Sequence, residues 1–459
     1  MRQTNFALAI LTAAVLSACG GSGNDTPAAQ PKPHFAAQVS FGDSLSDVGT
    51  YKVGAVAALG GGKYTINGPT AKNWTEIMAA NAGLAAPCPA VTGLTGNAGV
   101  NPGFVVPVSD FVSCNSYAMG GARVTNPKGP GSLAAGSALG QLTYPVVDQV
   151  TRHLSRHAGA FSATDVVYVM AGGNDALQLL ADLTAAATAA GAAEGARVGA
   201  ATYVSSLVGR LAAGATNPTT AAAAIGAAAQ TAAAQPGATP TTITQAAVGA
   251  AAIQPGNSAV ASPAVYGPMT VAAQADATAA GNAAGAKAGA DYGAANGPAL
   301  VPMMAQAGKE LSDVIRNQIV GKGAQYVVLV NLPDLASSPS AKAQSASSQQ
   351  LIAGMVNGFN IALRVGIDGL ESKVLYVDLF TQTQLQVANP STYGYTNTSA
   401  AACATNLLGG TSLVCNSTNT LAGVDVSKYM FADSVHPTPY ANTLIAQYVT
   451  DQMKARGWL

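Results

Sequence analysis

Ser44 lies in Phe41-Gly42-Asp43-Ser44-Leu45-Ser46-Asp47, directly after a short apolar run, and Asp433-Ser434-Val435-His436 lies near the other end of the chain. A hydroxyl is a poor nucleophile at neutral pH unless an imidazole takes its proton, and the imidazole needs an acceptor behind it to fix its tautomer. The sequence has four histidines. His34 falls in an N-terminal tether-like stretch, and His153 and His157 share one amphipathic segment crowded by Arg152 and Arg156. His436 is the one with an acid three residues earlier in a turn-like segment, so Asp433 can reach its ring from behind. Ser44, His436 and Asp433 therefore read as nucleophile, base and orienting acid. Taken alone, each piece also has a plain reading, as a capped strand-to-helix turn or a helix-start cluster.

Elements that could bring positions 44 and 436 together are legible as apolar runs at 36–41, 111–119, 166–170, 326–331 and 374–379. Helix-like stretches at 73–82, 144–157, 302–320, 344–367 and 439–456 separate them. Strands alternating with amphipathic helices predict an α/β fold whose parallel sheet, of about five strands, is covered by helices on both faces. In such sheets ligands bind beyond the carboxyl ends of the strands. Ser44, Gly121 and Asn174 each fall just past the end of one expected strand.

The formal net charge is zero and 9% of residues are charged, which leaves no basic face for a nucleic-acid partner and favours a small-molecule or apolar substrate. The N-terminus has Arg2, an apolar run at 6–16, and then Leu16-Ser17-Ala18-Cys19-Gly20. This reads as an export signal over 1–18, and the last five residues resemble a bacterial lipobox that would place lipid on Cys19. The expectation is an exported outer-membrane lipoprotein, facing the periplasm or the cell surface or released, with 19–34 as a flexible tether and the membrane contacted through the lipid anchor. Cys88, Cys114, Cys403 and Cys415 remain, an even number that allows three disulfide pairings. Loop closure favours the sequence-near pairs, Cys88 with Cys114 and Cys403 with Cys415. A metal site is not expected, since no Cys-x-x-Cys or nearby His accompanies them, and nothing in the sequence calls for a cofactor.

Between 185 and 298 the composition turns to Ala, Gly, Thr and Gln, with no charged residue from 211 to 275. Pro218-Thr219-Thr220 and Pro240-Thr241-Thr242 each lead into Ala-rich stretches, which favours helical hairpins. The region reads as a large helical insertion into a catalytic domain spanning 35–459. A disordered Ala/Gly-rich linker is the competing reading.

Four blocks together resemble the GDSL-type esterases and lipases of the SGNH hydrolase superfamily. They are Phe41 to Asp47, Ser116-Tyr117-Ala118-Met119-Gly120-Gly121-Ala122, Gly172-Gly173-Asn174-Asp175, and Asp433-Ser434-Val435-His436-Pro437, in the family's order. The second carries Ser116 where the family often has Asn. The resemblance implies a flavodoxin-like three-layer α/β/α fold and a serine hydrolase acting on small-molecule or lipid esters. It also implies an oxyanion hole from the Ser44 and Gly121 backbone N–H groups and the Asn174 amide, with Asp47 holding the nucleophile loop. A carbohydrate O-acetylesterase is the alternative within hydrolases, and a non-catalytic surface lipoprotein the alternative outside them. Gly-x-Ser-x-Gly is absent, so the elbow of the α/β-hydrolases is not expected.

Overall fold

A computed structural model describes residues 32–459. The signal segment, Cys19 and most of the tether therefore lie outside the described residues. Four parallel strands, β1 (Ala37–Gly42), β2 (Asp165–Met170), β3 (Tyr326–Val330) and β4 (Val374–Val377), form one sheet in that order. In β2 every residue is buried, as expected for a strand covered on both faces.

The helices that position the site are, in chain order, α1 (Trp74–Asn81), α2 (Val146–Arg156), α3 (Gly173–Ala212), α4 (Pro218–Ala233), α5 (Pro240–Ala252), α6 (Pro263–Asn296), α7 (Leu300–Val314), α8 (Ala346–Gly366) and α9 (Pro439–Ala455). Strand alternation assigns them to layers. Val39, Phe41, Val167, Val169, Val327 and Leu329 face α2, α7 and α8, whereas Val166, Tyr168, Val328 and Val330 face α1 and α9. A three-layer α/β/α core results. Local chemistry sets several helix starts. Asn73 forms a capping box with Glu76 at α1, and Thr438 caps α9 ahead of Pro439.

The expected strand at 111–119 is the one departure in the sheet. Cys114 N–H donates to Phe111 O, so the segment turns before it reaches the sheet. Only the part from Asn115 runs beside β1, through Ser40 N–H to Asn115 O, Tyr117 N–H to Ser40 O and a single parallel bridge between Ser40 and Ser116. It acts as an edge to β1 without forming a fifth strand. The sequence-near cysteines are paired: Cys88 with Cys114 and Cys403 with Cys415.

The Ala/Gly-rich region is helical throughout most of its length. α3 runs for 40 residues, about 60 Å, outward from the end of β2, and α6 returns alongside it. α4 and α5 pack as a hairpin against the outer half of α3 around Leu207, Leu211, Ile225, Val248 and Val260. α3 is long and apolar enough to cross a membrane by length and composition, although Glu194 and Arg197 form an ion pair midway along it.

Candidate active site

Gly42 ends β1 with φ +148°, and a Cβ there would run into Met170 O, so only glycine lets β1 and β2 lie this close at the nucleophile turn. Gln149 on α2 clamps the same residue. Its Oε1 accepts from Gly42 N–H at 2.9 Å, and its Nε2 donates to Gly42 O at 2.8 Å. Ser44 follows, 8% exposed.

The structure brings Ser44, His436 and Asp433 together across 392 residues of sequence: His436 Nε2 is 2.8 Å from Ser44 Oγ. On the far side of the ring, Nδ1 lies 2.8 and 3.0 Å from the Asp433 carboxylate oxygens. A carboxylate accepts only, so Nδ1 carries the proton and Nε2 is left to accept from the serine. Asp433 is held in turn by N–H groups of Ser412 at 2.7 Å, Val435 at 2.9 Å and His436 at 2.8 Å. Burial opposes ionisation of Asp433. The adjacent imidazole and these donors outweigh it, and its carboxyl stays well below the usual carboxylate range.

Asp47 links the first block to the second. Its Oδ1 accepts from Gly49 and Thr50 N–H, both at 2.8 Å, and its Oδ2 accepts from Gly120 N–H at 3.0 Å. Burial pushes its carboxyl up to about 6, against those bonds. Because Asp47 occupies the Gly120 N–H, the neighbouring Gly121 N–H is the free donor of the pair; among the described residues it has no acceptor, and neither does Ser44 N–H. Gly121 has φ +78°, and a Cβ there would meet Pro130 O. Asn174, in the first turn of α3, gives one amide hydrogen to Ala122 O at 2.9 Å, leaving the other without an acceptor among the described residues. Asp175 adds a second tie between these blocks, accepting from Val124 N–H and Arg123 Nε, both at 3.0 Å.

Several of these contributors escape sequence reading. Gln149, Arg123 and Ser412 act through long-range contacts, and no local spacing marks them. Tyr64 is another: its ring lies 4.8 Å from the His436 imidazole. Asp43, beside the nucleophile, is buried with one oxygen accepting from Leu45 N–H, and burial pushes its carboxyl up to about 7.

His153 and His157 do not aim at a common point. Their rings stack 4.2 Å apart, with His153 enclosed by Phe41, Tyr117 and Phe161. Among the described residues there is no cluster of three or more potential metal ligands. Asn331, near the end of β3, is structural. Its amide donates to Tyr376 OH and Asp378 and its carbonyl accepts from Phe380 N–H. A groove of about 2130 Å³ runs between α3, α6, the tip of the α4–α5 hairpin and the start of α8, and no residue of the Ser44–His436–Asp433 relay lines it.

No family model matches the chain. Among curated proteins it is similar to the GDSL esterase/lipase APG of Arabidopsis thaliana, 26% identical over 144 residues, which cover 29% of this chain and 41% of that protein. GDSL esterase/lipase At1g29660 of Arabidopsis thaliana is 31% identical over 144 residues, covering 28% and 38%. Lipase 1 of Photorhabdus luminescens is 37% identical over 83 residues, covering 18% and 12%. The matched segment thus spans less than half the length of each of these relatives. With four blocks in order, a parallel sheet between two helical layers and these relatives, the chain is a relative of the GDSL esterases and lipases of the SGNH type.

Proposed function

We propose that the protein hydrolyses carboxylic esters of small molecules or lipids through an acyl-enzyme on Ser44. The observation that carries this reading is the continuous relay from Ser44 Oγ through His436 to Asp433, with 2.8 Å at each of its two junctions. As Ser44 Oγ attacks the ester carbonyl, its proton passes to His436 Nε2, and Asp433 stabilises the imidazolium. Negative charge develops on the carbonyl oxygen. The Ser44 and Gly121 N–H groups and the spare hydrogen of the Asn174 amide are the donors available to it. His436 then protonates the departing alcohol. Water repeats the sequence, freeing the acid. Asp47 supports the reading by consuming the Gly120 N–H, which leaves Gly121 as the donor.

Ser44→Ala is expected to abolish ester hydrolysis and covalent labelling by a fluorophosphonate probe while the protein still folds. Full labelling of that variant would remove Ser44 as the nucleophile.

Export with a lipid on Cys19 belongs to the same proposal. Its support is the lipobox-like sequence and two disulfides, which persist in oxidising compartments. Metabolic labelling with a radioactive fatty acid should mark the protein and be lost in Cys19→Ser. Equal labelling of both would exclude this anchor.

A further inference from the structure

The Tyr64 ring lies against the His436 imidazole, with centroids 4.8 Å apart and planes at 38°. Tyr64 is 7% exposed, and its hydroxyl accepts from Gln141 Nε2. The phenol lies so close over Gly120 that a Cβ on that residue would meet the Tyr64 hydroxyl. Tyr51 braces the arrangement from the side, its ring 6.5 Å from Tyr64 at 85° and its own hydroxyl donating to Gly120 O at 2.7 Å.

The loop bearing Tyr64 is tied to the loop that holds the base's carboxylate. Asn67 donates through its amide to Ser412 O and Cys415 O, both at 3.0 Å, and through its backbone N–H to Cys415 O at 2.7 Å. Ser412 N–H, on the same segment, donates to Asp433 Oδ2. The Cys403–Cys415 disulfide closes that segment. One assembly therefore fixes the acid on the imidazole's Nδ1 side and an aromatic ring against its face.

We infer that Tyr64 is a positioning residue for the base: its ring holds the plane of His436 between Asp433 and Ser44 and stabilises the imidazolium formed during acyl transfer. An aromatic face attracts a cation electrostatically, and more strongly where water is excluded. Filling space beside Gly120 would need only bulk, whereas stabilising an imidazolium needs ring electrons. The other titratable groups facing the imidazole are Asp433 on its own turn and Asp43 beside the nucleophile.

The inference rests on the ester-hydrolase reading, and the experiment separates the two. Wild-type protein that takes up no fluorophosphonate label refutes the hydrolase reading, and this inference with it. With labelling present, Tyr64→Leu is expected to lower kcat on a soluble nitrophenyl ester about tenfold at little change in KM. The acidic limb of kcat/KM should move to lower pH by about half a unit to one unit. Tyr64→Phe keeps the ring and should recover most of both. An acidic limb that stays in place in Tyr64→Leu overturns the inference, as does an equal loss in the Leu and Phe variants. Should Tyr64→Leu fail to fold, phenylalanine and a ring-fluorinated phenylalanine at position 64 keep nearly the same volume and differ in ring electrons. The fluorinated ring is expected to lower the limb, and coincident profiles would overturn the inference.

Discussion

The sheet domain and the Ala/Gly arm solve packing in opposite ways. In the domain, large side chains such as Trp74, Phe41, Tyr168 and Phe359 are wholly buried and fill the space between sheet and helices. In the inner arm, α3 and α6 have almost no side chain between them. Gly191, Gly195 and Gly199 on α3 face Gly281 and Gly285 on α6 so closely that a Cβ on Gly191 would lie 2.7 Å from Gly285 O, and one on Gly281 would lie 2.7 Å from Gly195 O. Glycine at every fourth position over 191–199 on α3 and 281–293 on α6 lets the backbones meet directly. Contact then comes from proximity, since small residues bury little apolar area. The domain is therefore vulnerable to lost volume and the arm to added volume. The chemistry sits on the side-chain-rich part, and Asn174 stands where the two meet.

One effect expected from breaking this division falls on chemistry alone. Asn174→Ala removes an oxyanion donor from the first turn of α3 and should lower kcat by about 10²- to 10³-fold. The arm's melting should not move. An unchanged kcat on a soluble ester would take Asn174 out of the oxyanion hole.

Next come two substitutions of opposite sense. Phe359→Ala empties a site packed against Gly172 and should destabilise the domain by about 3–5 kcal/mol. Gly191→Leu forces α3 and α6 apart and should destabilise the arm by about 1–3 kcal/mol. Limited proteolysis should then cut first within 212–262 in the Gly191 variant, with Ser44 labelling retained. If Gly191→Leu melts and digests as wild type does, the backbone-to-backbone contact is not what holds the arm.

Local signatures were legible in the sequence and distant convergence was not. Ser44, Gly121, Asn174 and His436 each sit in a short block whose turn chemistry is written in adjacent residues. Asp47 lies in the first of these blocks, and its carboxylate accepts from Gly49, Thr50 and Gly120 N–H. Tyr64 and Gln149 reach the site from segments with no such signature. The run at 111–119 has strand-like composition, but the turn at Phe111 to Cys114 uses up half of it. The composition change near 185 is not a structural boundary either. α3 starts at Gly173 and passes through it unbroken, because Ala continues a helix as well as Leu does.

A further effect separates the two regions by pH. The domain buries groups whose protonation differs between folded and unfolded chains, and they act with opposite signs. Among the described residues His153 has no hydrogen-bond partner on either ring nitrogen. Burial, helped by the nearby His157 and Arg156 charges, lowers it to about 3. The unfolded chain then binds more protons between about pH 6.5 and 3, so its contribution is complete above 6.5 and is lost as pH falls through that window. Asp43 and Asp47 are raised by burial to about 7 and about 6, so the folded chain binds more protons there. Their contribution is complete below about 3.8 and is lost as pH rises toward those values. The two trends partly cancel in the wild type. His153→Phe removes one of them and should leave a domain whose melting temperature falls steadily from pH 4 to 7. The outer arm has no charged residue from 211 to 275 and should melt at the same temperature across that range. Parallel pH profiles for domain and arm in His153→Phe would show that burial of Asp43 and Asp47 does not govern the domain's acid response.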